Sequence, residues 1–409
     1  MRSGAWTGLV PGQLWPATLV AGALSGCGGP RAESGLAVPA IETLPGGTVQ
    51  VTNAGPTQWA DTNGWRIVEE AILQPAEGSP GEFSDVTKLV ADSRGNVFVM
   101  QIQPTVIKAF DSTGAWLRDI GRQGNGPGEF PDGMLAIVGD TLLVQDPNNA
   151  RLTAFLTDGT LLRTSPSQCC FFTSALPALD AGAVLVMGNP PAGHEASRWS
   201  YYVTRPDGTV LDTLIPAVAT GGRAPGSFWS VRIPTPRGGM QLDVPVPGVP
   251  RDQDTWRGDG VLVSGNTGEY RLAIRRGYRD TSRVVLTSVA RQMLTADARD
   301  SLFEEVLLEQ PAEFREAIRS SASVDQIPLA RPKWTALATD RAHRIWVGIP
   351  GPGTDVALLH VLSPEGVLLG AVPAPHPRIL EGFWTRDRIY LRDVDASGAP
   401  LVRIFRLRM

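Results

Sequence analysis

The stretch DSRGNVFVMQIQPTVIKAFDSTGAWLRDIGRQGNGPGEF, residues 92–130, decides the fold class of this chain. It opens with a turn and the β-branched and aromatic run GNVFVMQ, and two further β-capable runs flank the turn DSTG. Glycine in such a turn supplies the positive φ that a tight hairpin requires. The stretch ends in the turn segment GNGPGEF. The pattern therefore predicts a succession of short antiparallel strands.

Runs like GNVFVMQ recur along the chain, and each is entered by a polar or glycine turn. They lie at 95–101, 140–146, 182–188, 260–265, 344–349 and 388–393. A strand such as TKLVAD precedes each run and a hairpin follows it, so each unit holds four antiparallel strands in about 45 residues. Such a repeat is typical of a β-propeller, and six runs predict six blades in an all-β chain. Insertions at about 216–253 and 288–330 explain the two longer steps between runs.

The two ends of the propeller are expected to complete one blade together. The last unit, PLVRIFRLRM, supplies a third strand and then stops. An unpaired blade edge would expose backbone donors and acceptors. We therefore expect GWRIVEEAIL, residues 64–73, to be the outer strand of the last blade and to close the ring.

The turn Pro-Gly-Glu-Phe occurs twice and Pro-Gly-Ser-Phe occurs once, each between one blade and the next. We expect the three phenylalanines to fill the gaps between neighbouring blades: Phe83, Phe130 and Phe228. Glu82 and Glu129 either cap backbone amides at the crossing, which we favour because the third copy has serine, or face a ligand.

Residues 92–130 resemble a repeat of the NHL type, and 64–409 as a whole resembles the six-bladed propeller lipoproteins of bacteria, many of them uncharacterised. The resemblance implies the fold with good specificity. It does not imply one function, because such propellers include RNA binders, protein scaffolds, lyases and lactonases.

The N-terminal residues have the layout of a secretory signal, with Arg2, an apolar run and then small residues. Leu24-Ser25-Gly26-Cys27 resembles the lipobox of bacterial lipoproteins, in which the cysteine carries lipid; the alternative is a plain signal peptide with a chance cysteine. We therefore expect a signal peptide over 1–26, lipidation of Cys27 and a flexible tether over 27–63. The resemblance implies a location on the periplasmic side of a bacterial membrane. Gly28 follows the cysteine where an aspartate could stand, and this resembles lipoproteins that are sent to the outer membrane.

Charge and motifs exclude several functions. The 37 basic and 41 acidic residues are balanced, and no Lys/Arg cluster indicates nucleic acid as a partner. The sequence has no nucleophile elbow, no H-E-x-x-H and no Walker loop. Asp393 and Asp395 resemble the start of a calcium loop, but the twelfth position is Ile404. Cys169 and Cys170 fit buried apolar positions better than a redox pair. We therefore expect no cofactor and no metal site.

Both insertions fall in blade-to-blade connections, so they decorate one face of the propeller, and loops on a rigid scaffold are where binding usually occurs. The candidates for ligand or partner binding on this face are Arg122, Asp146, Asn148, Arg151, Trp229, Arg232, Trp256, Arg331, Lys333 and Trp334. A pocket of Arg and Trp would suit an anionic, sugar-like or peptide ligand. The alternative for each residue is an ordinary loop salt bridge or a packing aromatic.

Three functions stay open at this point. The leading hypothesis is a lipid-anchored binding module of the cell envelope with an unknown protein, peptide or glycan partner. The second is a hydrolase or lactonase with acidic residues around a channel metal, which would require carboxylates converging from different blades. The third is a structural subunit, in which the apolar helical face predicted at 297–319 would stay exposed as an interface.

Overall fold

The computed structural model describes residues 38–54, 64–168, 171–173, 175–194, 197, 199–216, 226–235, 238–279 and 281–408. The predicted signal peptide, Cys27, Cys169 and Cys170 lie outside the described residues. Six sheets, each with four antiparallel strands at its core, follow one another along the chain as the blades of a propeller, which confirms the fold predicted from the repeat. Each of the six sequence runs is the second strand of its blade.

The first three blades follow three N-terminal strands, β1 (Ala40–Thr43), β2 (Val49–Asn53) and β3 (Arg66–Leu73). Blade 1 contains β4 (Lys88–Ala91), β5 (Val97–Ile102), β6 (Thr105–Phe110) and β7 (Trp116–Ile120). Blade 2 contains β8 (Met134–Val138), β9 (Thr141–Asp146), β10 (Arg151–Leu156) and β11 (Leu161–Pro166). Blade 3 contains β12 (Ala178–Leu179), β13 (Ala183–Gly188), β14 (Ser200–Thr204) and β15 (Val210–Leu214).

The other three blades are separated by the two insertions. The first insertion forms the hairpin β16 (Phe228–Thr235) and β17 (Gly238–Pro245). Blade 4 contains β18 (Asp252–Trp256), β19 (Val261–Asn266), β20 (Arg271–Arg276) and β21 (Thr281–Thr287). The second insertion forms the helices α1 (Ala296–Glu309) and α2 (Ala312–Ser321). Blade 5 contains β22 (Leu337–Thr339), β23 (Ile345–Gly351), β24 (Thr354–Leu362) and β25 (Leu368–Pro373), and blade 6 contains β26 (Phe383–Trp384), β27 (Arg388–Val394) and β28 (Pro400–Arg408).

The ring closes as the sequence predicts. Strand β3 pairs antiparallel with β28 and is the outer strand of blade 6. Ion pairs reinforce the closure, since Glu69 lies 2.8 Å from Arg403 and Glu70 lies 2.7 Å from Arg388. The hydrogen bond from Arg388 lowers the pKa of Glu70. The first and last parts of the propeller are therefore joined by backbone and by charge.

Residues 40–53 differ from the flexible tether expected over 27–63. Strand β2 pairs in parallel with β21 and β1 pairs with β2, so blade 4 has six strands. The run VQVTN alternates, and its Val51 and Asn53 are buried. The Asn53 amide donates to the carbonyl of Gly366 at 3.0 Å and its oxygen accepts from the Leu368 amide at 2.9 Å. This segment covers the edge of blade 4 and also binds the hairpin of blade 5.

Clusters of buried apolar side chains fill five of the six blade junctions within the described residues. Phe130 is fully buried between blades 1 and 2 and meets Phe155 edge-on at 6.4 Å. Phe83 meets Phe110 in the same way at 6.0 Å, next to residues of blade 6. Both fill a junction as predicted. Phe228 differs: it is half-buried at the start of β16, because the third copy of the turn leads into the inserted hairpin.

The glutamates of the repeated turn cap backbone amides, as we favoured. Glu129 accepts from the amide of Gly126 at 2.8 Å and from the Arg122 guanidinium at 2.8 Å. The amide bond and the arginine lower the pKa of Glu129. Glu82 accepts from the amide of Gly78 at 2.6 Å. The carboxylates hold the turns in shape.

The two insertions pack against each other. Their common core contains Trp229 and Val231 of β16, Phe303 and Leu307 of α1, and Ile318 of α2. Trp229 meets Phe303 edge-on at 5.4 Å. The apolar face of the helices is thus covered at these positions by the hairpin and does not stay exposed as an interface would require. Neither α1 nor α2, the helices that the structure describes, is long and apolar enough to span a membrane.

Candidate functional site

A cavity of about 540 Å³ occupies the channel of the propeller. Its walls are the inner strands of all six blades, with Leu89, Ala136, Ala178, Asp254, Leu337 and Phe383 among the lining residues. Small-molecule sites have volumes of about 300–1,000 Å³ and combine apolar walls with a few polar groups. The channel therefore has the size and the composition of a ligand site.

Two cations lie together on the channel wall. Lys88 is the first residue of β4, and Arg392 lies on β27 of the neighbouring blade 6. The Lys88 ammonium donates to the carbonyl of Thr173 at 3.2 Å, and the Arg392 guanidinium donates to the carbonyl of Thr87. These acceptors are neutral. Burial, and then repulsion from Arg392, lower the pKa of Lys88, and Asp132 acts in the opposite direction.

A carboxylate lies on the wall of blade 4, and in a ring of six blades blade 4 faces blade 1. This carboxylate belongs to Asp254 of β18. Burial raises its pKa and Arg275 opposes that shift. The residue is exposed by area, but its exposed surface meets the cavity, whose walls limit hydration. Lys88 and Asp254 thus place opposite charges on facing walls, and the cavity is also lined by Asp340, Arg341 and Glu381.

Three aromatic rings adjoin Asp254 between blades 3 and 4. Trp256 meets Tyr201 edge-on at 5.4 Å and Tyr278 edge-on at 5.7 Å, and the two tyrosine rings stack at 6.3 Å. Burial, with Asp254 adding to it, raises the pKa of Tyr201 to about 12. The indole N–H of Trp256 is buried and forms no hydrogen bond of ordinary geometry among the described residues, although it is close enough to the Tyr201 hydroxyl to oppose the rise in the pKa of Tyr201. This junction is therefore built from aromatic and polar groups.

A polar bridge lies where the first strands of blades 3, 4 and 5 turn into their second strands. His343 Nε2 lies 2.7 Å from Asp180 Oδ2, and the amide of Asp180 donates to the carbonyl of Gly258 at 2.8 Å. His343 has a φ of 63°, which is uncommon for a residue other than glycine. The bridge links blades 3, 4 and 5 and fixes the position of the channel wall there.

A groove of about 300 Å³ adjoins the channel. It lies between α1 and blade 4, and Leu302 and Val306 of α1, with Arg251 and Arg331, are part of its lining. Gln253 lines both the groove and the channel cavity. The insertions are therefore placed at the entrance to the channel, on the face that the sequence indicated.

Four of the ten predicted site residues lie together at the turn between blades 1 and 2. Arg151 donates to the carbonyls of Asn125 at 2.7 Å and Glu129 at 2.9 Å, and it lies 3.2 Å from Asp146. Arg122 pairs with Glu129, and Asn148 is exposed in the turn that joins β9 to β10. These contacts hold the turn against blade 2.

The other six predicted residues are spread over the molecule. Trp229 and Trp334 are 2% and 0% exposed and belong to apolar cores, and the Trp334 N–H donates to the carbonyl of Glu269. Lys333 donates to the carbonyl of Val289 at 2.7 Å. Arg232 is exposed on β16, Arg331 lines the groove and Trp256 lines the channel. The ten residues do not form one pocket.

Sequence reasoning missed Lys88, Arg392 and Asp254. The sequence offers only a weak indication that Lys88 belongs to a site. Lys88 is one of three lysines in the chain and is the first residue of an inner strand. Convergence from blades 1, 4 and 6 can be read only from the folded ring. Within the described ranges, no group of three His, Cys, Asp or Glu side chains is placed to hold a metal ion.

Neither a known protein family nor a curated protein matches the sequence. Among solved structures, the chain is similar to a DUF4221 family member from Bacteroides vulgatus (12% identity, 85% of this chain and 99% of that chain, TM-score 0.45). It is also similar to a Bacteroides fragilis protein whose name describes it as exported (9%, 88% and 100%, TM-score 0.44). A third is virginiamycin B lyase from Staphylococcus aureus (10%, 84% and 99%, TM-score 0.38). These likenesses carry no information on the function of this chain.

Proposed function

We propose that the protein is a lipid-anchored binding module of the cell envelope whose channel takes a small anionic ligand. The observation that carries this proposal is the pairing of Lys88 with Arg392 on the channel wall, each bonded to a neutral carbonyl. Two adjacent cations in a partly dehydrated cavity are stabilised by an anion between them, and Arg presents a fork that matches a carboxylate or a phosphate.

The rest of the cavity indicates an organic anion with an apolar part. Trp256, Phe383, Trp384 and Tyr390 line the same space. Aromatic walls take apolar and ring-shaped groups and exclude water from the charged end. A carboxylate on a small aromatic body is therefore a suitable first probe.

Lipid anchoring rests on the sequence. The lipobox-like LSGC at 24–27 places a cysteine where bacterial lipoproteins carry their lipid, and such a chain is held on the membrane through lipid chains. The proposal includes the periplasmic side of the outer membrane as the destination. Metabolic labelling with palmitate tests it: the wild type is expected to carry label and Cys27→Ser to carry none. Label on the serine variant would contradict anchoring at this residue.

Titration with phenylacetate tests the channel site, using the full chain purified from membranes in detergent and tryptophan fluorescence or calorimetry as the readout. We expect phenylacetate to bind the wild type and Lys88→Met to weaken it at least about tenfold, because a charge-assisted hydrogen bond contributes about 1.5–3 kcal/mol. Lys333→Met is the matched control, since Lys333 also donates to a carbonyl but is not a channel-lining residue. Equal affinity in both variants would contradict the proposal.

A further inference from the structure

We infer that Asp254 and the adjoining face of Trp256 form a second subsite in the channel, which binds an ammonium group, so that the ligand is a zwitterion. This inference deepens the proposed function and rests on it for the anionic end. The two subsites lie on facing walls of one cavity, with Lys88 on blade 1 and Asp254 on blade 4.

The second subsite is built around the carboxylate of Asp254, which lines the cavity. Among the described residues, no hydrogen bond or ion pair to this side chain is formed, although burial already disfavours its charge. Arg275 is close enough to act on it electrostatically but donates to the hydroxyl of Ser264 at 3.0 Å. Keeping a charged carboxylate in a cavity without a hydrogen-bond donor costs free energy. A ligand that donates to this carboxylate removes that cost.

The aromatic neighbours define which donor fits. Trp is the best aromatic partner for a cation, at about 6 Å from the ring centroid. The rings of Tyr201, Trp256 and Tyr278 lie 5.4–6.3 Å apart, so they pack against one another and leave no space inside the cluster. The cation would therefore lie on the channel side, where Trp256 and Asp254 both line the cavity. An ammonium group satisfies the carboxylate and the ring together.

The charge arrangement then identifies the ligand class. The Lys88–Arg392 pair takes the carboxylate of the ligand, and Asp254 with Trp256 takes its ammonium group, across a cavity of about 540 Å³. A molecule with these groups at its two ends and an apolar body between them satisfies both walls. ω-Amino acids and short peptides with free termini have this chemistry.

Three aromatic probes of similar size separate the two subsites: phenethylamine carries the ammonium alone, phenylacetate the carboxylate alone, and 4-(aminomethyl)phenylacetate both, at opposite ends of its ring. We expect phenethylamine to bind the wild type and Asp254→Asn to weaken it at least about tenfold. The probe with both charges, 4-(aminomethyl)phenylacetate, should bind more tightly than either single-charge probe and should lose affinity in both Asp254→Asn and Lys88→Met. Phenylacetate should bind Asp254→Asn at least as tightly as the wild type, because the variant removes a negative charge from the cavity.

Two controls keep the result interpretable. Asp252→Asn lies on the same strand, where Asp252 accepts from Asn266 at 2.9 Å, and it is not a channel-lining residue; it should bind all three probes like the wild type. Trp256→Phe keeps an aromatic face with a weaker attraction for cations and should weaken phenethylamine more than phenylacetate.

The outcomes distinguish the two proposals. Failure of phenethylamine to bind, or equal binding by wild type and Asp254→Asn, overturns the ammonium subsite, while Lys88-dependent binding of phenylacetate still supports the proposed function. Asp254-dependent binding of phenethylamine without any binding of phenylacetate supports the ammonium subsite and overturns the anionic one. Binding of neither single-charge probe overturns both.

Discussion

Two blade junctions differ in their side chains: the junction between blades 1 and 2, and the junction between blades 3 and 4. The first is filled by buried apolar residues, with Phe130 and Phe155 at its centre. The second contains Tyr201, Trp256 and Tyr278 next to the charge of Asp254. One junction follows the repeated turn Pro-Gly-Glu-Phe, whereas the other comes where the third copy of that turn opens an insertion.

The difference separates what stabilises the ring from what can bind. Apolar burial stabilises the regular junction, and nothing in it requires a partner. The irregular junction keeps a buried indole N–H without a regular hydrogen bond and a carboxylate without a donor among the described residues. Departures from locally consistent packing are expected at functional sites. The comparison predicts large stability effects at the first junction and small ones at the second.

The largest effect is expected at Phe130. Because this ring is fully buried, Phe130→Ala should lower the free energy of unfolding by about 3–5 kcal/mol. Phe228→Ala removes the same ring from the half-buried third copy of the turn and should cost clearly less. Urea unfolding followed by circular dichroism measures both. Equal costs would mean that the position in the repeat does not decide the packing.

Much of the regular part could be predicted from the sequence. Alternation and turn residues are local signals, so the strands, the number of blades and the closing role of 64–73 follow from the repeat and from the requirement that edges be paired. Strand β2 was missed although the turn LPGG precedes it, because its run is only five residues long and its main partner is a distant strand that it meets in parallel.

The site could be predicted only to the level of a face of the propeller. Trp229 and Trp334 resemble pocket residues by type, but their environment is an apolar core. Lys88, Asp254 and Arg392 belong to three blades, so their proximity to one cavity depends on how the ring closes and not on any spacing. Residue type gives chemistry, and only the fold gives convergence.

His360 lies at the junction between blades 4 and 5, where its ring is half-buried and is not part of the channel lining. Its ring stacks on Tyr270 at 5.7 Å, and burial lowers its pKa to about 4. The unfolded chain therefore binds a proton more tightly, and stability is lost as the pH falls from about 6.5 to about 4. The loss should reach on the order of 3 kcal/mol.

Urea midpoints at pH 7.5, 5.5 and 4.5 measure this loss. His360→Phe keeps the stacked ring and should lose less stability over this range than the wild type. His194→Asn, at an exposed position, should follow the wild type. An unchanged pH dependence in His360→Phe would assign the loss to other groups.

Trp334 and Trp256 allow the same comparison with smaller expected changes in the free energy of unfolding. Trp334→Phe leaves the buried carbonyl of Glu269 without its donor and should cost about 1–3 kcal/mol. Trp256→Phe keeps a ring against Tyr201 and removes an N–H whose contact with the Tyr201 hydroxyl falls short of a regular hydrogen bond, so the change should stay within about 1 kcal/mol. Thermal or urea unfolding compares them. A larger cost for Trp256→Phe would place this residue among the structural ones.

The smallest effect, and the one with the opposite sign, is expected at Asp254. Burial raises its pKa, so the folded chain binds the proton more tightly than the unfolded chain, and the carboxylate lowers stability as the pH rises through its folded pKa. Asp254→Asn removes that charge. The variant should therefore be more stable than the wild type at pH 7, by at most about 1 kcal/mol because water in the channel screens the charge. The difference should vanish below about pH 4, where the aspartate is protonated in both states. Urea midpoints at pH 7 and pH 3.5 measure this difference. A variant less stable than the wild type at pH 7 would mean that the carboxylate stabilises the junction and is not an unpaired group available to a ligand.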